Sequence, residues 1–201
     1  AGLEDFGNPW TNCVSPLRYW QAYVGTDAVV RVSQNPGTTQ YAGLYVLYSN
    51  TPASSSARAL GSYAAGDKDV VYGLAFSNDT PVAQSRFAVS FRAAQWSNRN
   101  KIARTLVFQH LVTNALVGID APGGWVTDSG LSYTTPFTTN DDEYSSASAM
   151  EALVLPVVLQ PGGLLVLRWF DEDPADGDGS DAMTGIDDFS LSWSPLRAPV
   201  P

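Results

Sequence analysis

The feature that most constrains this chain is a two-residue alternation of apolar and polar side chains. In the stretch 86–96, Phe87, Val89, Phe91 and Ala93 fall on one side of an extended strand and Arg86, Ser90 and Arg92 on the other. Such runs recur between clusters of Gly, Pro, Asn, Asp and Ser, and no stretch sustains an apolar stripe of helical period with caps. The pattern predicts eleven strands: Tyr19 to Val24, Ala28 to Ser33, Gly43 to Tyr48, Arg58 to Tyr63, Val70 to Ser77, Arg86 to Trp96, Ile102 to Val112, Leu131 to Phe137, Met150 to Pro156, Gly163 to Phe170 and Ile186 to Ser194. An all-β chain with this many short strands is expected to form a two-sheet antiparallel jelly-roll β-sandwich.

Composition narrows the function classes. The 201 residues suffice for one buried core, so 1–194 is expected to be a single sandwich domain, with 195–201 a Pro-rich tail or linker to a further domain. Eleven Lys and Arg against twenty Asp and Glu give a net charge of -9, which repels a phosphate backbone and argues against nucleic acid. No apolar run reaches the roughly 18 residues of a membrane-spanning helix. Cys13 is the only cysteine, so neither an internal disulfide nor a thiolate metal cluster can form. The start, Ala1-Gly2-Leu3-Glu4, without Met or a basic-then-apolar segment, reads as that of a mature or trimmed chain.

Acidic residues are unevenly spread. Eight of the twenty fall between Asp171 and Asp188. Closely spaced carboxylates with intervening glycines suit a hard cation that takes six to eight oxygens. The EF-hand template fits poorly: counted from Asp176, residues Asp178, Ser180 and Asp187 stand at ligand positions, but Asp181 stands where the loop needs Gly. A solvated acidic loop is the alternative. In Ile186-Asp187-Asp188-Phe189, adjacent strand residues face opposite sides, so one carboxylate is expected to point inward or along an edge.

Leu3-Glu4-Asp5-Phe6-Gly7, an aromatic at Trp10 or Trp20, and Gly185-Ile186-Asp187-Asp188-Phe189-Ser190 together resemble a frame found in galactose-binding-like carbohydrate-binding modules and in MAM domains. In those families the first and last strands lie side by side and often hold a structural calcium ion. The resemblance implicates Glu4, Asp5, Asp187 and Asp188 as its ligands here. Gly7 stands where the frame usually has Glu, which removes one ligand. The segments 71–80, 89–96 and 165–171 are also similar to jelly-roll segments of secreted and surface-anchored bacterial proteins, which implies a secreted or cell-surface location.

Aromatic side chains supply the candidate chemistry, since the C–H faces of sugars stack on rings. Trp20, Trp169 and Trp193 lie in apolar strands and are expected in the core. Trp96 and Trp125 stand at strand ends beside polar loops and are the expected ligand platforms, with Arg92, Gln95, Asn98 and Arg99 supplying hydrogen bonds beside Trp96. A solvated strand face is the alternative for these polar residues. Arg168 is expected to pair with Asp171. His110, between apolar neighbours and without a nucleophile elbow, is read as structural. A glycosidase needs two carboxylates poised across a cleft, and the acids here are gathered in one loop. The expectation is a non-catalytic, extracytoplasmic binding module for a glycan, with a calcium ion. The competing reading is an adhesion or protein-interaction module without a sugar site, either one set within a larger multidomain protein.

Overall fold

A computed structural model describes residues 20–25, 32–35, 42–48, 58–98, 102–136, 148–173 and 182–196. Its strands are β1 (Trp20–Val24), β2 (Val32–Asn35), β3 (Gly43–Tyr48), β4 (Arg58–Tyr63), β5 (Val70–Ser77), β6 (Gln84–Asn98), β7 (Thr105–Thr113), β8 (Val126–Thr127), β9 (Tyr133–Thr134), β10 (Ser148–Leu159), β11 (Leu164–Asp171) and β12 (Ala182–Pro195). One sheet runs β1-β5-β11-β7-β8 with β9 also on β7, and the other runs β10-β6-β12-β4-β3-β2. Pairing is antiparallel except between β2 and β3, which run parallel. The two sheets pack as a β-sandwich.

The period-two reading accounts for the main core. From β6, Phe87, Val89, Phe91 and Ala93 are buried, while Arg86 and Arg92 are exposed. From the facing sheet come Tyr72, Leu74, Phe108, Leu165, Leu167 and Trp169. Trp169 is fully buried and is the hub: it stacks on Tyr72 (centroids 5.8 Å) and Trp20 (5.7 Å), and Phe91, Phe108 and Phe189 meet it edge-on. Aromatic pairs in these geometries add roughly 0.5–1.5 kcal/mol each beyond burial.

The sheet is also buried on its other face where β3 and β4 meet the end of β6 and the start of β12. Leu44 and Leu60 face the main core, whereas Tyr45, Leu47, Ala59, Tyr63, Met183 and Trp96 form a second cluster. On the opposite sheet, Val71, Val166 and Ile119 form a third, packed by Tyr23, Leu111, Trp125 and Phe170. This last cluster exists because the segment 114–125 folds over the outer face of β5, β11 and β7.

Bulges set where side chains end up along β6, β10 and β12. Met183 pairs Ser97 and Thr184 pairs Gln95, leaving Trp96 as an extra residue on β6. Asp187 pairs Arg92 and Ser190 pairs Ser90, so three steps on β12 face two on β6; Asp188, within that step, has φ 52°. Ser192 pairs Ala88 and Ser194 pairs Ser85, and Arg86, within that step, has φ 55°. Pro156 sits in a further bulge on β10, where an edge strand tolerates the missing N–H.

Candidate functional site

The sandwich opens at one end into a cleft of about 360 Å³ between the last residues of β5, the start of β6 and the C-terminal half of β12. Its floor is core: Phe87 is 3% and Leu159 2% exposed. Its wall is Trp193, 54% exposed, whose ring lies over Phe87 at 6.4 Å with planes 25° apart. This corrects the expectation that Trp193 is core. Phe189, Leu191 and Trp193 keep the inward phase of β12, but β12 runs past the end of the core, so the last of the three faces the opening. Two further exposed apolar side chains, Val82 (48%) and Leu196 (50%), belong to the segments beside it, joined by a hydrogen bond from the Leu196 N–H to the Ala83 carbonyl (2.8 Å).

The other wall is polar and internally braced. Asn78 is 4% exposed. Its Nδ2 donates to the carbonyls of Val82 and Leu159, both at 2.9 Å, and its Oδ1 accepts the Thr80 N–H (3.2 Å). The Thr80 hydroxyl lies 2.7 Å from Asn78 Oδ1 and 2.9 Å from the Val82 carbonyl. Gln84, 5% exposed, donates from Nε2 to Thr80 Oγ1 at 2.8 Å. The backbone of Asn78 also exchanges hydrogen bonds with Gly162 and Gly163 (2.8 and 3.0 Å), tying the β5–β6 turn to the β10–β11 turn. Among the described residues, Gln84 Oε1, the Ser77 hydroxyl and the Asp79 carboxylate retain hydrogen-bonding capacity that the network does not use. Asp79 is the sole charged side chain among the described lining residues.

The residues singled out by sequence lie elsewhere. Trp96 is 4% exposed, its ring enclosed by the second cluster, so it offers no open face for a sugar. Gln95 is 1% exposed and pairs with Thr184, on the opposite side of β6 from Trp96. Arg92 is exposed, 3.8 Å from Asp188 across two solvated side chains. Asn98 ends β6; its side chain and all of Arg99 lie outside the described residues. The structure therefore does not bring Arg92, Gln95 and Trp96 together as one ligand surface.

Trp125 is half-buried, and its indole N–H donates to the Ala121 carbonyl (2.8 Å). The Arg168 guanidinium lies 3.9 Å above its ring. Arg168 also donates to Gln109 Oε1 (2.7 Å) and the Ile119 carbonyl (2.6 Å), and burial, offset in part by Asp120, lowers its pKa to about 10. Asp171 is not its partner: Leu165, Leu167, Trp169 and Asp171 face the core while Arg168 faces outward. Asp171, 2% exposed, adds to burial in pushing the Tyr72 phenol well above its ordinary range. His110 Nδ1 lies 2.6 Å from Asp128 Oδ2, both largely buried, a contact that pins β7 to the turn at 128–131.

Of the expected calcium ligands, Glu4 and Asp5 lie outside the described residues. Asp187 and Asp188 stand at the β12 bulge, where Asp187 Oδ1 accepts the Asp188 N–H (2.8 Å). Burial raises the Asp187 pKa, the Asp188 charge adds to it, and the Asp188 N–H and Arg92 work against it. A half-buried carboxylate whose ionised form is disfavoured, beside a second carboxylate, fits a divalent cation. Among the described residues no group of three or more His, Cys, Asp and Glu side chains is gathered as a metal site, and no helix is long and apolar enough to cross a membrane.

No protein-family model matches the chain, and no curated protein does. Among solved structures, TmCBM61 in complex with β-1,4-galactotriose is similar over 87% of this chain and 88% of that one, at 11% identity and a TM-score of 0.38. At that score the likeness carries nothing about ligand.

Proposed function

We propose that this chain is a non-catalytic, extracytoplasmic carbohydrate-binding module and that its glycan site is the cleft walled by Trp193. The observation that carries this reading is a half-exposed tryptophan, held by a stacked Phe87, facing a braced amide and hydroxyl wall across an open cleft. Covering roughly 100 Å² of such a ring recovers about 2–3 kcal/mol at ~25 cal/mol/Å². The amide wall is already ordered by its own hydrogen bonds, so little side-chain entropy is lost when a ligand docks. The test is a glycan array probed with the wild type and Trp193→Ala: signal that disappears in the variant supports the reading, and an array without signal rejects it.

A calcium ion held by Asp187, Asp188, Glu4 and Asp5 belongs to the same reading. It would clamp the N-terminal segment to the last strand, screening two adjacent carboxylates as it does so.

A further inference from the structure

We infer that the cleft beside Trp193 takes a glycan that carries free amino groups, with an ammonium seated between the indole face and the Asp79 carboxylate. This rests on the reading of the cleft as a glycan site and names the sugar class it would hold.

The polar wall spends its amide N–H groups on itself. A carbonyl can only accept, so the contacts of Asn78 Nδ2 with the Val82 and Leu159 carbonyls (both 2.9 Å) fix that amide and engage both of its N–H groups. Gln84 is fixed in the same way: its Nε2 donates to Thr80 Oγ1 (2.8 Å) and to the Val82 carbonyl (3.3 Å). The single Thr80 hydroxyl proton goes to Asn78 Oδ1 (2.7 Å) or to the Val82 carbonyl (2.9 Å). What these side chains have left for a ligand is therefore acceptors. Gln84 offers its Oε1, and Asp79, exposed between Asn78 and Thr80, offers a carboxylate; both residues line the cleft. A ligand that docks against this wall has to bring the protons.

Trp193 lines the same cleft with about half of its surface exposed, and of the aromatic side chains an indole face attracts a cation most strongly. An ammonium brings three donors and a positive charge, which suit an acceptor wall and an indole face together. A hydroxyl brings one donor and no charge, and an acetamido group brings back a carbonyl acceptor. A net charge of -9 also draws a polycationic glycan toward the chain at long range.

The experiment holds the backbone constant and changes one substituent: β-1,4-linked oligomers of equal length carrying a hydroxyl, an acetamido or a free amino group at C2 are titrated into the whole chain. Asp79→Asn and Trp193→Ala are run alongside, with Nα-acetyl-lysine amide as an amine that has no sugar. The amino oligomer is expected to bind at least about fivefold tighter than the other two, the gain of an ion pair plus a cation–π contact. That advantage should vanish in Asp79→Asn, and all oligomer binding should weaken in Trp193→Ala. Trp193-dependent binding without the advantage, or with an advantage that survives in Asp79→Asn, overturns the amino-sugar inference and leaves the glycan reading standing. Lysine amide bound as tightly as the amino oligomer also overturns the inference, because the cleft would then hold an amine without reading the sugar. Absence of binding to every oligomer, or binding indifferent to Trp193→Ala, overturns the glycan reading and this inference together.

Discussion

Trp96, Trp169 and Trp193 differ in burial because each ring's fate is decided by what packs on its face of the strand and by where the core ends. Trp169 lies mid-strand and is enclosed on every side; Trp96 keeps the outward phase of Ala94 and is buried because the second cluster packs on that face; Trp193 keeps the inward phase but outruns the core. Trp96→Ala is therefore expected to cost about 3–5 kcal/mol of stability. Trp193→Ala should shift the denaturant midpoint little, because half of its ring is already in water. Equilibrium unfolding of the two variants checks this, and a Trp96→Ala protein as stable as wild type contradicts the placement. Alternation showed the face each ring takes, which is why Trp169 was legible. What packs on each face, and where along a strand the core ends, is fixed by partners far away in sequence, so Trp96 and Trp193 were not. Asp187 carries a second residue-scale prediction. Its folded pKa is raised, so the folded state holds the proton more tightly than the unfolded chain. Its favourable contribution is present below the ordinary carboxylate pKa and is lost as pH rises through the raised value, leaving the ionised group a cost at pH 7. In chelator, Asp187→Asn should thus gain stability relative to wild type as pH rises from 3 to 7, read from urea melts of the two proteins; a difference that does not change with pH contradicts the raised pKa.

At the scale of elements, the strands were largely legible and their partners were not. The boundaries of β3, β4 and β5 match the alternation residue for residue, whereas β8, a two-residue strand, carries too short a pattern to be seen. Arg168 illustrates the same limit: an arginine inside an apolar strand signals a polar partner, but the partners are Gln109 on β7, the Ile119 carbonyl and the Trp125 ring. Those contacts fasten the segment 114–125 over the outer face. Arg168→Met is expected to loosen that segment, measured as faster amide exchange across 117–125 with the exchange of β5 and β6 unchanged. Gly73 is the counterpart on β5, opposite Arg168; a Cβ there would overlap the Leu167 carbonyl and Arg168 Cα of the neighbouring strand. Gly73→Ala is accordingly expected to destabilise by about 1–3 kcal/mol, read from the urea midpoint.

For the whole molecule, two sheets with the aromatic hub between them make a rigid body whose ends are left for turns, and the cleft is the consequence at one end. None of its polar residues was legible as a site, because Asn78, Thr80 and Gln84 read as an ordinary turn until β10, β11 and β12 are brought beside them. The calcium reading also belongs to this scale, since it joins the two ends of the chain: 1 mM EDTA is expected to lower the melting temperature, calcium to restore it, and Asp187→Asn to abolish the difference. Calorimetry that shows no change on chelation contradicts it. The glycan reading meets its most direct test in isothermal titration of an oligosaccharide chosen from the array into wild type and Trp193→Ala. The account predicts enthalpic binding by the wild type and at least a tenfold weaker Kd in a variant that melts at the same temperature; equal affinities for the two proteins would contradict it.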